Sequence, residues 1–264
     1  MFLTRVLTAA VLLAVFLTAL LMLERAAFAV LVAVVIALGA FEWGRLSGLG
    51  RGIPAAYATA CLILFGSVLG SALVDPVLWA ATFFWVFAVP WWLATGVTSK
   101  SRAWLAPAGV VVLVPAGLAM GTLRPQQLLM VLGLIWISDT GAYLAGRACG
   151  RRKLAPSISP GKTWEGVAGG AIGCIIYAII WALFDPDLRP RVQGLAWIAF
   201  LAGTLLLCAL GVVGDLFESA LKRQAGAKDS GKLLPGHGGV LDRIDSATAA
   251  LPVALLLVQA IGAT

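Results

Sequence analysis

Nine long apolar segments, parted by short polar breaks, leave this chain few folds to adopt. They run over residues 6–23, 26–46, 53–73, 77–95, 103–121, 126–147, 166–184, 194–217 and 246–263. A helix crossing a bilayer needs about 20 predominantly apolar residues, and each segment approaches that length. A transmembrane β-barrel would alternate apolar and polar residues. Stretches such as "AAFAVLVAVVIALGAF" do not alternate, so the segments are read as helices. The composition agrees: the 264 residues are 61% hydrophobic and 12% charged, where soluble domains carry about 25% charged residues. The expected fold class is all-α, a polytopic membrane protein of about nine transmembrane helices. A soluble globular domain is excluded.

The placement of positive charge orients the helices. With nine spans, the side holding the N-terminus carries Arg5, Arg45, Arg51, Lys100, Arg102, Arg147, Arg151, Arg152, Lys153, Lys162, Lys222, Arg223, Lys228, Lys232 and Arg243, which is 15 residues. The other side carries Arg25, Arg124, Arg189 and Arg191, which is 4 of the 19. Cytoplasmic loops concentrate Lys and Arg. The N-terminus is therefore expected in the cytoplasm and the C-terminus outside. Removing or adding one span would scramble the split. Ala27-Phe28-Ala29 resembles a signal-cleavage site, but the apolar run from Val6 to Leu23 exceeds a usual signal core and a second span follows at once. A retained first helix is expected. Cys61, Cys149, Cys174 and Cys208 are scattered and form no CxxC pair, which argues against a disulfide or zinc framework.

The two halves differ. Residues 1–125 hold about five spans with short connectors, and charges such as Glu42, Arg45 and Asp75 sit near the span ends. Trp43, Trp79, Trp91, Trp92 and Trp104 fall mostly near span ends as well, which suits interfacial anchoring. Residues 126–264 hold about four spans and two longer polar segments, 147–165 and 217–245. The charge split puts both segments in the cytoplasm. Neither is long enough for a soluble domain, so chemistry would occur at the membrane face.

Four stretches of the second half could carry it. In "ISDTGAYLAGR", Asp139 lies about two turns inside an apolar helix. A carboxylate there is costly and marks a functional site by default. The plain alternative is a polar residue satisfied by a neighbouring Ser or Arg. "SPGKTWEG" contains GKT, but a P-loop needs a Gly five residues before Gly161, where Pro156 stands. Lys162 remains able to meet a phosphate as a point charge. Glu165 near the helix start suits the helix dipole. Gly166, Gly169, Gly170 and Gly173 are spaced for close helix packing.

In "GVVGDLFESALKR", Asp215, Glu218, Ser219 and Lys222 share one helical face. In "KDSGKLLPGHGGVLDRID", Asp242 and Asp245 are three apart, just before the last span. Asp215, Asp242 and Asp245 together can supply hard oxygen ligands for Mg²⁺, with Lys222, Arg223, Lys228 and Lys232 around them. The glycines of "PGHGG" permit close backbone approach to a ligand. A lone His is more often structural, but His237, among three glycines in a charged loop, is read as meeting a phosphate or a metal's ligand. Carboxylates for Mg²⁺ beside cations for phosphates describe a membrane enzyme handling a nucleoside triphosphate. The residues alone do not name the reaction.

At these positions the sequence resembles the phosphatidate cytidylyltransferase family, also called CDP-diacylglycerol synthase. The family signature S-x-apolar-K-R-x4-K-D-x-small-x2-apolar-P-x-H-G-G-apolar-x-D-R-apolar-D is met without departure from Ser219 to Asp245. "SDTGAYLAGR", "SPGKTWEG" and "GDLFES" also resemble family segments in order, so the resemblance covers about residues 135–250. It implies that CTP and phosphatidate give CDP-diacylglycerol and pyrophosphate at the cytoplasmic face of a bacterial-type inner membrane. It implies Asp215 and Asp242 as metal ligands, with Asp245 and Ser219 as further ligands. Lys162, Lys222, Arg223 and Lys228 would hold phosphates, with His237, Gly238, Gly239 and Arg243 also at the substrate. It implies Asp139 only as an active-site residue. Mg²⁺ is the implied cofactor, a second cation is left open, and a homodimer among membrane lipids is implied. Nucleic acid is not expected as a partner.

Two readings stay beside it. A CTP-dependent kinase of a polyprenol or other lipid alcohol would release CDP in place of pyrophosphate. An ion-coupled transporter would use Asp139 and Asp215 along its path, but spans 1–5 and 9 offer almost no polar residues through the depth of the membrane. A CDP-alcohol phosphotransferase is discounted because its DGxxAR-type motif is absent.

Overall fold

The structure, a computed structural model, describes residues 2–98, 102–234, 236 and 238–262. Its helices are α1 (Phe2–Met22), α2 (Arg25–Leu46), α3 (Ile53–Val68), α4 (Val74–Phe83), α5 (Val89–Thr95), α6 (Arg102–Thr122), α7 (Pro125–Cys149), α8 (Trp164–Phe184), α9 (Ala196–Gln224) and α10 (Leu241–Ala260). A π-helical turn over Phe84–Ala88 joins α4 and α5, so Val74–Thr95 is one apolar helix. Each expected apolar segment is thus helical. Among the described residues, six helices are long and apolar enough to cross a membrane: α2, Val74–Thr95, α6, α7, α8 and α9. Two shorter apolar helices are Ala10–Met22 and Ile53–Val68. α10 opens with Asp242, Arg243 and Asp245 in its first turns and is not among the six. The chain is a helical, multi-pass membrane protein.

Local chemistry sets the helix ends. Pro54 and Pro125 stand at the starts of α3 and α7, where the missing N–H costs nothing. Thr163 caps α8 by accepting from the Gly166 amide at 3.1 Å, satisfying one of the free N-terminal donors. The turn after α9 passes through Gly226, whose φ is +68°.

α7 and α8 pack along their lengths because small residues line the seam. A Cβ on Gly170 would lie 2.7 Å from the Ser138 carbonyl oxygen, and one on Gly166 would lie 2.8 Å from that of Ala142. This is the close helix approach expected of the Gly166–Gly173 spacing. The segment between the two helices is not a plain turn. Lys153–Ala155 (β1) and Ser159–Thr163 (β2) form a short antiparallel hairpin, with Lys153 opposite Thr163. Pro156 and Pro160 mask it in the sequence. Pro156 falls in the loop between the strands, and Pro160 sits in a two-stranded ribbon whose outer edge needs no donor.

α10 lies inside the bundle, packed against α9, α6, α4, α7 and α2. Ala249, Ala250, Leu251 and Leu255 are each at most 1% exposed. Both halves of the chain therefore contribute to one continuous core.

The tryptophans divide. Trp79, Trp91 and Trp104 are exposed. Trp43 is not: it is 1% exposed and donates from Nε1 to the Leu105 carbonyl at 2.7 Å. It packs with Phe84, Trp85 and Trp92 around Phe217. A buried indole needs an acceptor, and α6 supplies one.

Candidate active site

The C-terminal ends of α7 and α9, the N-terminal ends of α8 and α10, and the hairpin all meet at one end of the bundle. The polar residues singled out from the sequence gather there in two adjoining networks.

The first joins α7, the hairpin and α9. Lys162, near the end of β2, places Nζ 2.7 Å from the Asp215 carboxylate and 3.5 Å from the Val212 carbonyl. Ser219, one turn along α9, donates to Asp215 Oδ1 at 3.3 Å. Asp139 is close enough to Asp215 and Lys162 to interact with both charges. Asp245 of α10 is close enough to feel the charges of Asp215, Asp139 and Lys222. Gly214 allows this approach, since a Cβ there would fall 2.5 Å from the Asp245 carbonyl oxygen. Glu165 leaves the cluster. It accepts from the Arg151 and Arg152 amides at 3.0 to 3.2 Å, fastening the loop that leads into the hairpin.

The second network joins α9, α10 and the loop between them. Lys222 pairs with Glu218 one turn earlier on α9 and with Asp242 Oδ1 at 2.6 Å. The other oxygen of Asp242 accepts from the Ser230 amide at 2.9 Å, the Ser230 hydroxyl at 2.9 Å and the Gly239 amide at 2.8 Å. The four residues on one face of α9 are thereby shared out. Asp215 and Ser219 serve the first network, Glu218 and Lys222 the second. Asp242 and Asp245 also part, with Asp242 bridging the loop and Lys222 of α9, and Asp245 accepting from the Ser246 amide at 2.8 Å on its own helix.

The remaining candidates line the edge. Arg223 donates to the Ile158 and Ala227 carbonyls at 3.4 Å each, bridging the hairpin and the loop. Lys228 and Arg243 are exposed. Gly238 has φ +81° and accepts from the Leu234 amide at 2.9 Å, closing a tight turn. His237, expected at the substrate, lies outside the described residues.

The second network contains a residue that the sequence reading passed over as a span-end charge. Glu42 of α2 is 5% exposed. Its oxygens accept from the Val240 amide at 3.1 Å, the Leu241 amide at 3.0 Å and the Ser230 hydroxyl at 3.0 Å. The signal was present: a carboxylate within an apolar helix, the same criterion that singled out Asp139. Glu42 also gives two loop glycines a purpose other than ligand approach. A Cβ on Gly231 or on Gly239 would collide with its carboxylate.

Among the described residues, no three or more His, Cys, Asp or Glu side chains form a group that could hold a metal ion. Mg²⁺ does not require three, since it keeps waters and is held through one or two carboxylates plus substrate phosphates. Asp139, Asp215 and Asp245 offer hard oxygens, and the Lys162 ammonium marks a place where positive charge is favoured. In chemistry, though not as a three-residue cage, these hard oxygens suit Mg²⁺, with substrate phosphates and waters supplying the other ligands. A cavity of about 310 Å³ lies towards the other end of α7–α10, among Leu134, Ala199, Gly203 and Leu257. No carboxylate lines it, so it is not where the charged residues converge.

Charges of both signs at the ends of apolar helices suit a reaction between a polar, phosphate-bearing molecule and one held in the membrane. Comparisons with known proteins agree. The chain is 40% identical to a phosphatidate cytidylyltransferase of Pseudomonas aeruginosa, with 98% of this chain and 97% of the relative covered. It is 50% identical to one from Haemophilus influenzae over 47% of this chain and 43% of the relative. It is 47% identical to one from Staphylococcus aureus over 48% and 46%. Residues 3–261 match the cytidylyltransferase family as a whole, and the chain belongs to that family.

Proposed function

We propose that this chain transfers a cytidylyl group from CTP to phosphatidate, forming CDP-diacylglycerol and releasing pyrophosphate. The observation that carries this reading is the end-to-end similarity to a phosphatidate cytidylyltransferase. The two networks at one end of the bundle support it. One phosphate oxygen of phosphatidate attacks the α-phosphorus of CTP. The bond from that phosphorus to the bridging oxygen breaks, and the β- and γ-phosphates leave together. Mg²⁺, when bound, would neutralise charge on the phosphates and on the departing pyrophosphate.

The side chains divide the remaining work. Asp215, with Asp245 and Asp139 near it, would hold the cation, and Ser219 orients Asp215. Lys162, now paired with Asp215, would hold a phosphate oxygen. Arg223, Lys228 and Arg243, at the open edge, would steer the triphosphate. Asp242 and Lys222 hold Ser230 and Gly239 of the loop against the end of α9, so that the Gly238–Gly239 turn would lie beside the nucleotide.

The topology belongs to the same proposal. Nine spans, a cytoplasmic N-terminus and an outward C-terminus place both networks where CTP is found, in an inner membrane. The 15:4 division of Lys and Arg supports that orientation. The family resemblance supports a homodimer. The deciding experiment incubates purified protein in detergent with α-labelled CTP, Mg²⁺ and phosphatidate. Labelled CDP-diacylglycerol with equimolar pyrophosphate is expected. CDP with a phosphorylated lipid would refute the reading in favour of a kinase.

A further inference from the structure

We propose that Glu42 is a positioning residue for the nucleotide side of the reaction: from α2, it fixes the loop 228–241 and, through that loop, Asp242. This rests on the cytidylyl-transfer reading above, but its first test does not depend on activity.

The geometry is specific. A buried carboxylate is costly unless hydrogen-bonded, and Glu42 has three donors. Two are the backbone amides of Val240 and Leu241, at the N-terminus of α10. Those donors have no partner within the helix, and a negative charge is favoured there. The third is the Ser230 hydroxyl, which lies 3.0 Å from Glu42 and 2.9 Å from Asp242. A hydroxyl has one proton to give, so Ser230 serves one carboxylate at a time and couples the two. Gly231 and Gly239 are bare where they face Glu42, so the loop is shaped around this side chain. α2 is held in place independently, because Gln224 near the end of α9 donates to the Leu46 carbonyl at 2.7 Å. Glu42 therefore reaches the loop from a braced helix. Without its charge, the α10 N-terminus and Ser230 lose a common anchor, and Asp242 loses the frame that aims it at Lys222.

Glu42→Gln keeps the volume but sets an amide N–H₂ against donors. Hydrogen–deuterium exchange reads the consequence directly. We expect faster exchange in the 228–245 segment of Glu42→Gln, with α6 and α7 unchanged. Steady-state kinetics with purified, monodisperse protein should show kcat/KM for CTP falling about tenfold to a hundredfold, the worth of one charge-assisted hydrogen bond. The KM for phosphatidate should stay within about twofold, since a positioning change should not alter lipid capture. A double-mutant cycle with Ser230→Ala should be non-additive. Glu42→Asp keeps the charge and should recover part of the CTP parameter. If exchange in 228–245 is unchanged, the inference fails whatever the activity. It also fails if both substrates' parameters fall together in step with the folded fraction, or if kinetics stay at the wild-type level. A wild-type protein that transfers no cytidylyl group would defeat the functional reading and leave the exchange test standing.

Discussion

Lys222 is a single ammonium between two carboxylates, and its removal separates stability from catalysis. Its side chain is 11% exposed, that of Glu218 4% and that of Asp242 7%. The two acids depend on it unequally. Asp242 keeps the Ser230 and Gly239 amides as donors and shares the Ser230 hydroxyl with Glu42. Among the described residues, Glu218 has no hydrogen-bond partner for either oxygen apart from this ion pair. Lys222→Met preserves the aliphatic stem and deletes the charge, stranding Glu218. Breaking a buried ion pair from one side costs about 3–5 kcal/mol, and that loss is expected here. Glu218→Gln in the same chain removes the stranded charge and should restore most of the loss. Unfolding in mixed micelles, followed by tryptophan fluorescence, measures both steps. Activity should behave differently. Lys222→Met and the double variant should both fall at least about a hundredfold in turnover, because Asp242 has lost its cation in each. Stability of Lys222→Met within about 0.5 kcal/mol of the parent would refute the reasoning. So would failure of Glu218→Gln to restore it.

Three further outcomes are expected. Asp215→Asn should fold and insert normally yet lose turnover, with activity recovering only in part as Mg²⁺ is raised; near-normal turnover at ordinary Mg²⁺ would move the cation site elsewhere. Gly238→Val should lose activity and about 2 kcal/mol or more of stability, because φ is +81° and its Cβ would lie 2.5 Å from Asp242 Oδ2; unfolding that matches the parent would show that the turn tolerates a side chain. Cysteines at the exposed positions Ser157 and Lys232, in a chain without the four native cysteines, should react only from the cytoplasmic side, and one at Gln193 only from outside; labelling in the reverse sense would invert the topology.

The sequence by itself determined the helical membrane architecture, because uninterrupted apolar runs of bilayer length have no other way to satisfy their backbone. Through its resemblance to a known family it also pointed to the reaction class. The signature from Ser219 to Asp245 is contiguous, and its charges stand out against apolar surroundings. The tight α7–α8 seam was legible in the glycine spacing for the same reason, since spacing along one helix is local information. The pairing of charges was decided only by the tertiary structure. Lys162 could have met any of several acids, and the hairpin delivers it to Asp215. Asp215 and Lys222 share a helical face, but the crossing of α10 gives Lys222 to Asp242 and leaves Asp215 to Lys162. Trp43 and Glu42, near the end of α2, read like surface residues, because one-dimensional position does not show what packs above a helix end. Phe217, the α6 carbonyl and the loop 228–241 close over them. A charge that lies 199 residues from the amide it anchors is visible only once the chain has brought the two together.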